Sequence, residues 1–196
     1  MERMLRKVLL KMRRMFHRVW SQIYRLLYLP SHIIIEGDPI DIIIGRNCYF
    51  EKGVRISNKS GGKIEIGENN VFLTGVILAT YGGAINIGNN CSFNPYCVIY
   101  GHGGLWIGNY VRIATHTIII PANHIFESRD LPITKQGLTK KGIRIGDDVW
   151  IGANVTILDN VIVGKGCVIG AGAVVNKNTS DFGVYGGVPS KQIGKR

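Results

Sequence analysis

Six hexapeptides follow one another without a gap from Ile145 to Ser180: IGDDVW, IGANVT, ILDNVI, VGKGCV, IGAGAV and VNKNTS. Each opens with Ile or Val, and Gly follows in four of the six. The fifth place holds Val149, Val155, Val161, Cys167, Ala173 and Thr179, all small or β-branched. A period of six fits neither a helix nor a simple alternating strand. It fits short strands joined by tight corners and stacked coil on coil, a parallel β-helix.

The repeat extends upstream in sets of three strands. They open at Ile44, Phe50 and Ile56, then Ile66, Phe72 and Leu78, then Ile87, Phe93 and Ile99, then Ile107, Ile113 and Ile119. Three strands per turn make an 18-residue coil of triangular section. Phe50, Phe72 and Phe93 then stack, followed by Ile113. A solenoid needs such ladders because each coil buries its faces only against its neighbours.

The irregularities are ordered too. The step lengthens to ten from Ile56 to Ile66, to nine from Leu78 to Ile87, to eight from Ile99 to Ile107, and to 26 from Ile119 to Ile145. The extra residues lie in NKSGGK, TYGGA and GHGGL, and in an excursion spanning 121–142. Every insertion follows the third strand of a coil, so all are predicted to line one edge of the prism. Loops on a rigid scaffold are where function tends to sit.

Residues 3–28 read as one amphipathic helix. Leu5, Leu9, Met12, Phe16, Val19, Ile23 and Leu26 form its apolar stripe, and Pro30 ends it. The organisation is then a basic helix over 1–30, a β-helix domain over 31–180 and a C-terminal extension over 181–196. Residues 1–28 carry eight basic side chains and one acid, which is +7 of the formal +11. The +4 left for the remainder does not mark the repeat as a nucleic-acid surface. No apolar run approaches the roughly 18 residues of a spanning helix, and charges interrupt any signal-like segment. The expected location is cytoplasmic, with peripheral contact at the inner face of the membrane as one role for the helix. Packing on the prism, or on sister helices, is the other.

Cys48, Cys91, Cys97 and Cys167 all fall at the inward fifth place, where a free cysteine serves as a small hydrophobe. VGKGCVIG lacks both the P-loop pattern and its strand–turn–helix setting. His116 falls at a surface place of its hexapeptide. His102 in GHGGL and His124 in PANHIF share the inserted edge. A neutral imidazole there suits general-base chemistry or metal ligation, although an unaligned histidine more often has a surface or structural role.

An ordered set of motifs carries a resemblance. An Asn-His pair precedes Pro132–Ile133 at a distance, followed by IRIGDDVWIGANVTIL, VIGAGAVVNK and YGGVPSK. Over roughly residues 40–191 the chain resembles the hexapeptide-repeat acyltransferases, left-handed β-helix proteins that move acetyl groups from acetyl-CoA. It is most similar to the galactoside, maltose, xenobiotic and polysaccharide O-acetyltransferases. The resemblance implies His124 as catalytic base and Asn94 as an acceptor contact. It implies Ala153 and Ala171, one coil apart, as backbone contacts to the pantetheine arm, with Asn176, Lys177 and Lys191 near the rest of the CoA. Asn176 stands where relatives have Thr, and Lys191 where many have Arg, which forgoes a bidentate contact. Trp150 fits the VW signature and faces outward, as a site or interface residue, and His102 is a further candidate. The resemblance also implies a homotrimer with its site between subunits, a sugar or glycan acceptor and no metal. The basic helix at the inner membrane face would place the enzyme beside lipid-linked glycans, which favours surface-polysaccharide assembly.

Other readings carry distinct marks. Serine O-acetyltransferases have a large helical N-terminal domain, which is not expected from the segment ahead of this repeat. Xenobiotic acetyltransferases share the loop and VW signature and stay open. The zinc-dependent β-helix carbonic anhydrases need three converging histidines, and the spacings of 14 and 8 residues between His102, His116 and His124 omit their close pair. A non-catalytic scaffold would not need the histidine loop.

Overall fold

The computed structural model describes residues 32–196, and the N-terminal helix predicted above lies outside them. Strand β1 (Ile34–Glu36) and a short 3-10 turn at Pro39–Asp41 lead into the repeat. The first coil is β2 (Ile42–Ile44), β3 (Tyr49–Phe50) and β4 (Arg55–Ser57). The second is β5 (Lys63–Ile66), β6 (Val71–Phe72) and β7 (Ile77–Ala79). The third is β8 (Ala84–Ile87), β9 (Ser92–Phe93) and β10 (Val98–Tyr100), and the fourth β11 (Leu105–Ile107), β12 (Arg112–Ile113) and β13 (Ile118–Ile119). The excursion holds β14 (Asn123–His124), helix α1 (Ile133–Gln136) and β15 (Leu138–Thr139). Then come β16 (Ile143–Ile145), β17 (Trp150–Ile151) and β18 (Thr156–Ile157), followed by β19 (Ile162–Val163), β20 (Val168–Ile169) and β21 (Val174–Val175). Strands β22 (Gly183–Gly186) and β23 (Lys191–Lys195) close the C-terminal end.

Among the described residues three sheets form the prism, and β14 and β15 make a separate two-stranded sheet. The first face is β2, β5, β8, β11, β16 and β19; the second runs from β3 to β20 and ends in β22 and β23; the third is β1, β4, β7, β10, β13, β18 and β21. Pairing is parallel throughout the prism, with β23 alone antiparallel on β22. Register is in step from coil to coil, as in Phe50 beside Phe72, Phe72 beside Phe93, and Phe93 beside Ile113. The three phenyl rings stack at 4.9 and 4.6 Å and nearly parallel, which is the spacing of adjacent strands.

The first and fifth places of the hexapeptides fill the core, as in Ile145, Val149, Ile151, Val155, Ile157 and Val161, each at most 1% exposed. Polar residues that take an inward place bring their own partners. The buried Asn70 donates to the Gly88 carbonyl at 2.9 Å and accepts from the Cys91 N–H at 2.8 Å. Thr117 donates to the Gly152 carbonyl at 2.9 Å, and Thr179 accepts from the Gly164 N–H at 3.0 Å. A buried polar group left unmade costs about 1–3 kcal/mol, so these bonds let polar side chains occupy core places. All four cysteines are free, three buried and Cys48 half-buried. Burial pushes the thiols of Cys48 and Cys91 up, and that of Cys97 to about 11. Such thiols are poor nucleophiles, in keeping with a packing role.

All four insertions leave the third face and enter the first, so they share one edge. The turns there stack backbone on backbone. A Cβ at Gly83 would lie 2.1 Å from the His102 carbonyl oxygen and 2.4 Å from that of Gly101. Gly83→Ala is therefore expected to cost about 1–3 kcal/mol through overpacking. A thermal melt checks this, and an unchanged melting temperature would count against such close packing.

Candidate active site

His124 stands exposed on β14, which pairs with β15 so that His124 faces Leu138 across the antiparallel ladder. The excursion is tied at both ends. Its entry touches the turn one coil below, where the Gly103 N–H donates to the Pro121 carbonyl at 3.1 Å. Its exit is gripped by Asp159, which is 6% exposed. That carboxylate accepts from the Thr139 hydroxyl at 2.8 Å, the Lys141 N–H at 3.0 Å and the Gly142 N–H at 2.8 Å. Gln136 ties the tip, donating to the carbonyls of Ser128 at 2.9 Å and Leu131 at 2.8 Å. The strand pair carrying His124 is thus held by the coil, not by a flexible stalk.

Burial alone would raise the Asp159 carboxyl, but the Lys141, Thr139, Gly142 and Asn160 hydrogen bonds outweigh it and hold the group below its ordinary range. The unfolded chain therefore binds a proton there more readily than the folded one. The anchor is complete above the ordinary aspartate value and is lost as pH falls through the lower folded value. Asp159→Ala is expected to leave the Lys141 and Gly142 amides without their acceptor and speed their hydrogen exchange at neutral pH. Unchanged exchange would contradict the anchoring role.

The carboxylates nearest in sequence to His124 do not orient it. Glu127 accepts instead from the Phe126 N–H at 3.0 Å, and no hydrogen bond joins the Asp130 carboxylate to His124 among the described residues. Among the described residues the imidazole has no hydrogen-bond partner. Phe126, Leu131 and Ile133 on the same excursion are more than half exposed, an unusual concentration of apolar surface.

The other residues predicted from sequence fall on two edges. His102 lies on the inserted edge one coil below His124, and Asn176 and Lys177 follow β21 on that edge. Asn94, Ala153 and Ala171 lie on the edge between the second and third faces. There the Gly172 N–H donates to the Ala153 carbonyl at 2.8 Å, which sets the two alanines one coil apart. Trp150 projects from the second face, 56% exposed, between Arg112 and Val168. Lys191 lies on β23 opposite Gly186. The chain therefore sets Asn94 and the alanines on a different edge from His124. His116, exposed and stacked on Tyr96 at 5.3 Å, shares the edge of Asn94. Among the described residues no three His, Cys, Asp or Glu side chains converge to hold a metal ion.

The inserted edge also carries features that sequence reading passed over. A cleft of about 370 Å³ beside the excursion's exit is lined by Trp106, Lys141, Arg144, Asn86, Asn160 and Asn178, among others. On the first face Trp106 stands between Asn86 and Arg144 in register. Further down, His102 stacks on Tyr81 at 4.7 Å and nearly parallel. Partial burial, and Lys140 secondarily, hold the His102 imidazole below its ordinary range, against the opposing pull of Asp159.

Fold and site together define a parallel β-solenoid of hexapeptide repeats with one anchored, histidine-bearing excursion. The bacterial transferase hexapeptide (six repeats) model matches residues 142–177. A probable acetyltransferase of Mycobacterium tuberculosis (strain ATCC 25618 / H37Rv) is 28% identical over 180 residues, 91% of this chain and 57% of that protein. The chain thus spans little more than half the length of this curated relative. A point variant of AntD, an N-acyltransferase from Bacillus cereus solved with dTDP-4-amino-4,6-dideoxyglucose and coenzyme A, superposes with a TM-score of 0.66 at 23% identity, over 85% of each chain. A maltose O-acetyltransferase from Clostridium difficile 630 gives 0.53 at 22% identity, over 95% of this chain and 88% of that one. The chain is thus similar to acetyltransferases built on this repeat, and residues 142–177 match the transferase hexapeptide model.

Proposed function

We propose that the protein transfers an acetyl group from acetyl-CoA to a sugar hydroxyl during surface-polysaccharide assembly, with His124 as general base. The observation that carries this reading is the anchored excursion. It holds an exposed imidazole rigidly above an edge lined with polar and aromatic clefts, which suits a base that must meet two substrates. His124 takes the proton of the attacking hydroxyl as its oxygen bonds to the acetyl carbonyl. The C–S bond then breaks, and the proton passes to the departing CoA sulfur. A well-placed base contributes about 10²–10⁴ in rate, and holding both substrates together contributes much of the remainder. Backbone N–H groups stabilise the oxyanion.

Asn94, Ala153 and Ala171 lie an edge away from His124, so the complete site requires a second subunit. The exposed Phe126, Leu131 and Ile133 suit burial against it, and a homotrimer with CoA lying between subunits meets both needs. Asn176, Lys177 and Lys191 are then placed toward the CoA. The basic segment 1–28 would bring the enzyme to the inner membrane face, beside lipid-linked glycans. No described helix is long and apolar enough to span a membrane.

The test is release of CoA thiol from acetyl-CoA with a panel of sugars, sugar nucleotides and amino sugars, with product analysis by mass spectrometry. An O-acetyl ester is expected. An amide product would move the acceptor from oxygen to nitrogen, the bond made by an N-acyltransferase such as AntD, and no transfer to any acceptor would overturn the proposal.

A further inference from the structure

Below the excursion, the inserted edge opens into a second cleft of about 420 Å³. Its lining includes Glu36, Arg55, Lys59, Thr80, Tyr81 and Tyr100. Three kinds of group meet there. The first is aromatic. Tyr81 is 44% exposed, with Tyr100 edge-on to it at 4.7 Å and the His102 ring stacked on it. The second is an ionic cluster, in which Glu36 accepts from Lys59 at 2.8 Å and faces Arg55 at 4.0 Å. The third is hydroxyl, from Ser57, Ser60 and the tyrosines.

Tyr81 is held with φ at +46°, in the left-handed region that bulky side chains rarely occupy. Other turns of the chain meet the same demand with Asn, Gly or a ring, as at Asn69, Gly75, Tyr96, Tyr110 and Phe182. The placement of Tyr81, and not its backbone conformation, distinguishes it. The His102 turn touches the excursion's entry at Pro121, and Tyr81 stacks directly beneath His102. Two coil spacings of 4.7–4.9 Å put Tyr81 roughly 10 Å below the excursion's base.

We infer that this cleft is a binding subsite for a saccharide acceptor longer than one sugar, lying along the inserted edge with its reacting end at His124. Sugar rings present apolar C–H faces and a rim of hydroxyls. An aromatic face with a polar rim matches both. Glu36 accepts from hydroxyls while Arg55 and Lys59 donate to them, and the excess of cations admits an acidic sugar. The inference rests on the sugar-acceptor reading and extends it to acceptor length.

The test compares kcat/KM of the full chain for glucose and N-acetylglucosamine with that for the β-1,4-linked tetrasaccharide of each. The tetrasaccharide is expected to be favoured about tenfold, the preference to fall to about one in Tyr81→Ala, and Tyr81→Phe to restore it. Glu36→Gln, which leaves the aromatic stack in place, is expected to reduce the preference as well. No preference in the natural chain, or a preference untouched by Tyr81→Ala, would overturn the subsite. Should none of these sugars be acetylated, the acceptor reading fails for them, and saturation-transfer NMR with the same tetrasaccharides judges the cleft separately. Signal lost in Tyr81→Ala supports the subsite. No signal, signal indifferent to the substitution, or signal appearing only once residues 1–31 are removed overturns it, the last because the chain's own N-terminal segment then fills the cleft.

Discussion

His124→Ala is expected to lower kcat by about 10²–10⁴ while leaving the affinity for acetyl-CoA nearly unchanged. The size follows from the chemistry. A sugar hydroxyl is too weak an acid to attack a thioester at neutral pH, and its proton must leave as the C–O bond forms. Removing the base withdraws that assistance and leaves the binding surfaces intact. His124 sits on a two-stranded ladder whose backbone bonds do not involve its side chain, and the excursion is pinned by Asp159 and Gln136. The substitution should therefore leave the melting temperature within a degree or two. Steady-state kinetics and calorimetric titration of acetyl-CoA together check it. A kcat within threefold of the natural protein would remove His124 from the chemistry. A matching loss of acetyl-CoA binding would make it a binding residue instead.

Phe72→Ala is expected to have the largest effect on stability. Phe72 is fully buried, between Phe50 and Phe93 at 4.9 and 4.6 Å. Its loss removes both stacks and opens a cavity that the register-locked coils cannot collapse around. Core Phe→Ala changes cost about 3–5 kcal/mol, which for a chain of this size lowers the melting temperature by about 6–20 °C. Solenoid coils depend on their nearest neighbours, so the loss should spread along the stack. Differential scanning calorimetry reads it, and Phe72→Leu should recover more than half of the loss. A drop under 3 °C for Phe72→Ala would show that the phenyl ladder is not what holds these coils together.

Much of the fold is legible because burial dictates residue type at every inward place. The six-residue step, the stacked phenylalanines and the placing of all insertions on one edge follow from Ile, Val, Phe and Gly positions alone. The site is less legible because outward places escape that demand. Asp159 occupies a corner of ILDNVI that looks like its neighbour in IGANVT, and its role emerges only from amide donors 17 and 18 residues upstream in sequence, at Gly142 and Lys141. Trp106 and Tyr81 likewise stand at outward or corner places, and their clefts arise from residues one coil apart. The sequence signal that marks them is an aromatic residue at a place where the repeat asks for none. The motifs single out His124, but the anchoring of the excursion that carries it depends on Asp159.

The most direct measurement is a rapid-quench single turnover with [1-14C]acetyl-CoA, the full chain and a saccharide acceptor, separating protein-bound label from label in the sugar. Direct transfer by His124 predicts label passing straight into an O-acetyl sugar, none trapped on the protein, and a rate reduced by about 10²–10⁴ in His124→Ala. Label accumulating on the protein before it reaches the sugar, or an equal rate in the variant, would contradict it.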